Sequence, residues 1–195
     1  RRPRLYHSGE TTDLDFVVRT LASRDPSTPL AAIGASLGGN VLLKWLGEHP
    51  AQNQEVAAAT ISVPYDLAAG ARYLESRLGR LYVSAFLTTL RPKAIRVARR
   101  FPQAAERIAV ERVRRSQTFW EFDDAATGPL HGFRGADDYY ARCSSIGFVG
   151  RIGTPTLCLS SEDDLFLPAS VLPRVRAAAS PAVELAVTRS GGHVG

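Results

Sequence analysis

The chain has 195 residues, room for one substantial domain, and its 45% hydrophobic and 22% charged content is that of an ordinary globular protein. No apolar run approaches the ~18 residues of a membrane-spanning helix, and nothing resembles a signal peptide. Cys143 and Cys158 are the only cysteines, too few for a disulfide framework and without metal-ligand spacing, so the expected compartment is the reducing cytoplasm.

Thr12-Asp13-Leu14-Asp15 has the loose form of a capping box opening a helix, with Leu14, Val17, Val18 and Leu21 on one face. A polar stretch over residues 23–28 with Pro26 ends it. Residues 30–35 read as a strand, followed by Gly34-Ala35-Ser36-Leu37-Gly38 and a helix over 40–49 that Pro50 stops. Residues 56–63 (VAAATISV) are almost continuously apolar, the pattern of a strand buried on both faces of a parallel sheet. From about 66 to 133 the pattern turns helical, over 68–77, 82–90, 95–100 and 104–115, with breaks at Gly79, Pro92 and Pro102. A long helical insertion between two strands is where a lid over a cleft is expected. A short helix follows over 137–145, and then a strand over 156–160 with the acidic loop Ser161-Glu162-Asp163-Asp164. A helix over 168–179 and a last strand over 183–188 lead into Arg189-Ser190-Gly191-Gly192-His193. Strands alternating with helices predict an α/β fold: a single domain over 1–195 with a parallel sheet flanked by helices and the lid inserted at about 66–133.

Ser36, set between strand and helix with glycine two residues to either side, has the form of a nucleophile elbow. Such a turn strains the serine backbone and projects its Oγ into a cleft; Gly34 and Gly38 are expected where a side chain would collide with the neighbouring strand or helix. A bare G-x-S-x-G arises by chance, but here its strand–turn–helix setting is also present. A serine hydroxyl needs a base to take its proton, and that base is usually an imidazole oriented by a carboxylate. The chain supplies Ser, Asp and His in that order, each after a predicted strand, so the three loops open on one side of a parallel sheet. Among the histidines, His49 suits a helix end, and His7 and His131 lie in glycine- and proline-containing loops as turn residues. Only His193 follows a terminal strand, with Gly191 and Gly192 letting its loop bend back. Either Asp163 or Asp164 could serve as the acid. The backbone N–H of Leu37, just after Ser36, is a candidate oxyanion donor.

With these residues in view, the chain resembles the YheT-like esterase branch of the α/β-hydrolases, related to embryogenesis-associated plant proteins and animal abhydrolase-domain lipases. The resemblance rests on Pro3-Arg4-Leu5-Tyr6-His7-Ser8-Gly9, on Gly38-Gly39-Asn40-Val41-Leu42-Leu43-Lys44-Trp45-Leu46-Gly47, and on Glu121-Phe122-Asp123-Asp124 with Pro129-Leu130-His131-Gly132-Phe133. Asp138-Tyr139-Tyr140, Asp163-Asp164-Leu165-Phe166-Leu167-Pro168 and Gly191-Gly192-His193-Val194-Gly195 complete it. It implies a carboxylic ester hydrolase with Ser36 as nucleophile, Asp164 as orienting acid (the acid commonly precedes an x-apolar-apolar-Pro turn) and His193 as base. Asp163 is then a solvent-facing neighbour or a cap for the loop. It also implies further strands upstream, carrying a second oxyanion donor, and a closing helix after the histidine. The chain begins Arg1-Arg2-Pro3 and contains no methionine, so it is expected to be the interior and C-terminal part of a longer protein.

The expected partner is a small-molecule ester or lipid, handled without metal or cofactor through an acyl-enzyme. The alternatives are a lipid-surface acyltransferase or phospholipase, and a non-catalytic binding module on a hydrolase scaffold. The formal charge of +5 hides an asymmetry: from residue 72 to residue 115, 12 basic residues face only Glu75, Glu106 and Glu111. That is either a solvated helical face or an electropositive surface for peripheral contact with anionic lipid. The arginines are not interleaved with aromatics and no recognition motif is present, so nucleic acid is not an expected partner.

Overall fold

The computed structural model describes residues 3–50 and 56–194. They form two compact units: residues 8–66 with 143–195, and residues 67–142 with the N-terminal segment up to His7.

The first unit is a four-stranded parallel sheet with its helices. In chain order, α1 (Thr12–Arg24), β1 (Leu30–Ala35), α2 (Leu37–Glu48) and β2 (Val56–Ile61) precede the helical segment. β3 (Thr156–Ser161), a helix over Leu172–Ala178 and β4 (Val183–Thr188) follow it. The strands pair in sequence order, β1-β2-β3-β4. Their C-terminal ends lie within two residues of one another: Ala35 lies beside Ile61 and Ile61 beside Leu159, while β3 and β4 run on together to Ser161 and Thr188. The loops that leave β1, β2, β3 and β4 therefore start from one rim.

The core of this unit lies between α2 and one sheet face. Leu43, Trp45, Leu46, Cys158, Ile152, Val171 and Val175 are buried there. Asn40, fully buried on α2, makes a complete amide set. Its Nδ2 donates to the carbonyls of Ser8 and Cys143, both at 2.8 Å, and its Oδ1 accepts from Ser145 N–H at 2.9 Å. A buried amide so satisfied specifies one position for α2 and therefore for the turn at its N-terminus.

The other sheet face is open. Ile33 is 77% exposed, and Leu157 and Leu159 of β3 share that face. The run 56–63 was expected to be buried on both sides; instead Ala58 and Thr60 are buried while Ala57 is exposed. α1 differs from expectation in two ways. Its N-cap is Thr11, with no side-chain cap, so the capping box at Thr12 is not formed. Its apolar stripe buries no residue, leaving Val17 and Leu21 exposed.

The second unit is helical, inserted in the chain between β2 and β3: α3 (Leu67–Tyr73), α4 (Arg77–Arg100), α5 (Pro102–Ala105), α6 (Val110–Arg115), α7 (Phe119–Phe122), α8 (Gly128–Leu130) and α9 (Ala136–Cys143). The main departure from the sequence reading is α4, one helix of 24 residues running through two of the three expected breaks, Gly79 and Pro92. Gly79 sits in its first turn, where its N–H is capped by Ser76 Oγ and its missing side chain admits the backbone of Leu74. Pro92 forfeits one i→i−4 bond, and the helix continues. The expected helix over 104–115 is instead two, α5 and α6.

The motif at 121–124 belongs to a turn-rich bracket. Glu121 closes a capping box with Thr118, and a π-helical turn over Asp123–Thr127 follows. Asp123 accepts from Tyr140 Oη at 2.7 Å, and Asp124 from Ala136 N–H at 3.1 Å. His131 Nε2 accepts from Leu5 N–H at 3.2 Å and its ring lies 4.3 Å from that of His7. These residues hold the helical unit together, which accounts for motifs without legible chemistry.

Candidate active site

Ser36 is the hinge between β1 and α2. Its backbone, φ 50° and ψ −122°, lies in a region that L-residues with side chains enter only under strain. The strain is held in place by Ser36 N–H donating to Ile61 O at 2.8 Å, and by Ser36 O accepting from Gly39 and Asn40 N–H. The close approach that makes the elbow possible involves Gly34 as expected: a Cβ there would stand 2.7 Å from Gly39 Cα. Gly38 differs from expectation, since a Cβ there would meet nothing within 4 Å. The second tight position is Gly39, where a Cβ would be 2.6 Å from Val63 Cγ2 and 3.0 Å from Gly34 O.

The structure brings Ser36, Asp164 and His193 together. His193 Nε2 lies 2.8 Å from Ser36 Oγ, and its Nδ1 lies 3.0 Å from both Asp164 carboxyl oxygens. Asp164 is only 4% exposed. One of its oxygens also accepts from Phe166 N–H at 2.7 Å, which fixes the carboxylate plane. With Nδ1–H donating to the Asp164 carboxylate, Nε2 is left with its lone pair facing the serine hydroxyl. Leu37 contributes the first amide of α2, a position whose N–H has no acceptor inside its own helix.

Asp163 does different work. Its carboxylate accepts from Gly192 N–H at 2.8 Å, from Gly191 N–H at 3.4 Å and from Ser161 Oγ. The Ser161 hydroxyl and then the Gly192 and Gly191 amides hold it below the usual carboxylate range. It caps the loop that carries His193, its carboxylate bonding to the backbone of that loop and to Ser161 and not to the imidazole. Gly192, at φ 64°, supplies the left-handed bend of that loop.

Two neighbours were not legible in the sequence. Phe166 stacks on the His193 ring, centroids 4.2 Å apart. Ser62, buried at the end of β2 with φ 54°, accepts from Val194 N–H at 3.0 Å. A strained serine just past a strand leaves no mark in hydropathy; only the shared rim of strand ends points to it. The remaining histidines lie elsewhere, His49 at the C-terminus of α2 with Nδ1 3.1 Å from Trp45 O, and His7 with His131 in the helical unit. Cys158 is a free, buried thiol that desolvation pushes up, away from reactivity. Among the described residues, no group of three His, Cys, Asp or Glu is placed to hold a metal ion, and no helix is long and apolar enough to cross a membrane.

Comparison with known proteins bears on the fold and the family. The α/β hydrolase fold family matches residues 3–195. The chain is 36% identical over its full length to the Escherichia coli (strain K12) protein named "Putative esterase YheT", covering 57% of that protein. It is 35% identical over 99% of its length to Phospholipase ABHD3 of Mus musculus, covering 46% of it, and 29% identical to the Monoacylglycerol lipase of Saccharomyces cerevisiae, covering 44%. The chain thus spans about half the length of these relatives. In fold it is similar to a Pyrococcus furiosus esterase, with TM-score 0.56 at 16% identity over 97% of this chain and 56% of that one. With an elbow, a parallel sheet and a family match that runs from Pro3 to the end, the chain belongs to the α/β-hydrolase fold family.

Proposed function

We propose that the protein hydrolyses carboxylic esters by a two-step acyl-enzyme mechanism, with Ser36 as nucleophile, His193 as general base and acid, and Asp164 as the group that orients and stabilises the imidazole. The observation that carries this reading is the unbroken line Asp164–His193–Ser36, with contacts of 3.0 and 2.8 Å. Ser36 Oγ attacks the ester carbonyl as its proton passes to His193 Nε2. The imidazolium that forms is stabilised by the buried Asp164 carboxylate. The carbonyl oxygen, now anionic, is received by the Leu37 N–H, a donor of a kind worth roughly 2.7–4 kcal/mol. His193 then protonates the departing alkoxide, and water activated by the same nitrogen cleaves the acyl-enzyme to a free acid. No step needs a metal or cofactor.

Short- and medium-chain acyl esters and acylglycerol-type lipids are the proposed substrate class, supported by relatives named as an esterase, a phospholipase and a monoacylglycerol lipase. The test is a series of p-nitrophenyl esters of rising chain length, together with labelling by a fluorophosphonate. Turnover and labelling in the native chain, both lost in Ser36→Ala, support the mechanism. Turnover that survives Ser36→Ala discards it.

A further inference from the structure

In the helical unit, α4 carries seven basic side chains and no acidic one. A solvated helix usually mixes charges so that i,i+4 pairs form; here such pairing is impossible within the helix. Because α4 continues through Pro92, its halves share one rotational register. At about 100° per residue, Tyr82, Phe86, Thr89, Lys93, Arg96 and Arg100 fall within an arc of about 80°. The buried stripe, Val83, Leu87, Ala94 and Ala98, lies on another side. The outward arc is therefore ordered along its length, aromatic in the first half and basic in the second. Tyr82 and Phe86 are 46% and 45% exposed, the Phe86 ring also meeting that of Phe119 at 5.8 Å, and Leu81, on the flank of the arc about 100° from Tyr82, is 70% exposed.

The arginines of the helical unit divide into two sets. Arg112 pairs with Asp124 and Arg114 with Glu111, while Arg91 and Arg107 donate to the carbonyls of Ser116 and Leu130. Among the described residues, no carboxylate pairs with Lys93, Arg96, Arg99 or Arg100. Arg99 and Arg100 complement the helix C-terminus, but Lys93 and Arg96 lie too far from it for that role. Cations without a carboxylate partner (Arg100 lies over the Phe101 ring at 5.8 Å), in line with exposed aromatic side chains and flanked by Leu81, match a surface with phosphate outside and acyl chain beneath.

We propose that the outward face of α4 docks on an anionic lipid bilayer. Lys93, Arg96 and Arg100 lie against headgroup phosphates, and Leu81, Tyr82 and Phe86 enter the boundary with the acyl chains. Nucleic acid would use the cations but gain nothing from Leu81. The proposal is argued from α4 alone; it rests on the hydrolase reading only in supplying that activity with acyl substrates held in a membrane.

The test is flotation of the full chain with phosphatidylcholine vesicles and with vesicles containing about one third phosphatidylserine, at low and high salt. Binding to the anionic vesicles only, weakened by salt, is expected. The combined Lys93→Glu, Arg96→Glu and Arg100→Glu variant should lose it, since each charge near such a surface contributes about fivefold. Tyr82→Ser with Phe86→Ser should weaken it about tenfold, and Arg96→Lys with Arg100→Lys should restore near-native binding. Circular dichroism checks that each variant is folded, and hydrolysis of a short soluble ester, followed in parallel, should not change among them. An inactive native chain that still floats refutes the hydrolase reading and leaves the docking surface standing. Equal binding to neutral vesicles, or undiminished binding of the charge-reversed variant, overturns the proposal. So does full vesicle binding by the aromatic variant combined with single-stranded RNA binding that only charge reversal removes.

Discussion

His193 Nε2 stands 2.8 Å from Ser36 Oγ across a sequence separation of 157. The neighbouring C-terminal ends of β1, β3 and β4 bring the two loops to one rim, and three contacts then set the imidazole within hydrogen-bond reach. Asp164 holds the ring by Nδ1, Asp163 holds the amides of Gly191 and Gly192 just before it, and Ser62 holds the amide of Val194 just after it. The histidine is fixed by both its side chain and its flanking backbone.

The adjacent aspartates should therefore separate cleanly by mutation. Asp164→Asn presents an amide to His193 Nδ1, disturbs the tautomer and leaves a developing imidazolium without its counter-charge; ester turnover should fall by about 10⁴. Asp163→Asn keeps an oxygen that accepts from Gly192 and should retain most turnover. Steady-state kinetics on a p-nitrophenyl ester measures both, and the reverse ranking would exchange the roles of the two carboxylates.

Ser62 offers a test of the loop's backbone anchor. Ser62→Ala removes the acceptor of Val194 N–H while keeping the strained φ, so it should destabilise by about 1–3 kcal/mol. Ser62→Gly also loses the acceptor but relieves the left-handed strain, so it should cost about 1 kcal/mol less than alanine. Both should lower kcat more than they raise KM, because they loosen the base and leave substrate contacts in place. Urea denaturation and steady-state kinetics read the two effects separately.

How much of this was legible in the sequence follows from what each residue depends on. Strand positions, the elbow and the order Ser–Asp–His are local patterns joined by one topological rule, and they point to Ser36, His193 and the adjacent pair Asp163 and Asp164, between which only the family resemblance chose Asp164. Gly79 and Pro92 misled because their propensity argues for helix ends; a cap on the one and the packing of Val83, Leu87, Ala94 and Ala98 outweigh it. The open sheet face could not be read, since an apolar run reports what a strand could bury and not what covers it. Ser62 and Phe166 were out of reach because their roles exist only once strand ends or loops are neighbours.

Gly38 and Gly39 make the same point in a measurable form. The elbow pattern singles out Gly38, yet the space is filled at Gly39. Gly38→Ala should be neutral or stabilise by up to about 1 kcal/mol, as expected of a helical glycine with open surroundings. Gly39→Ala pushes a methyl into Val63, itself buried, and should cost about 1–3 kcal/mol. Thermal denaturation of the two variants should place their midpoints on opposite sides of, or respectively at and below, the native value.

In the helical unit, Asp123 provides a pH signature. Desolvation raises its carboxyl to about 6, against hydrogen bonds from Thr127 and Tyr140 that lower it. Because the folded state holds the proton more tightly than the unfolded chain, this group favours folding below its unfolded value near 3.8, and that contribution is lost as pH rises through about 6. Asp163, held low, acts in the opposite sense, its contribution lost as pH falls through its depressed value. Asp123→Asn keeps an oxygen for the Tyr140 hydroxyl and removes the cost of ionisation. It should stabilise the protein at pH 7 by about 1–2 kcal/mol, less than the full shift implies because the residue keeps part of its exposure. Relative to native, the gain should shrink steadily as pH is lowered from 7 to 4. Chemical denaturation across that range measures it, and a gain independent of pH would show that the Asp123 carboxyl titrates as it does in water.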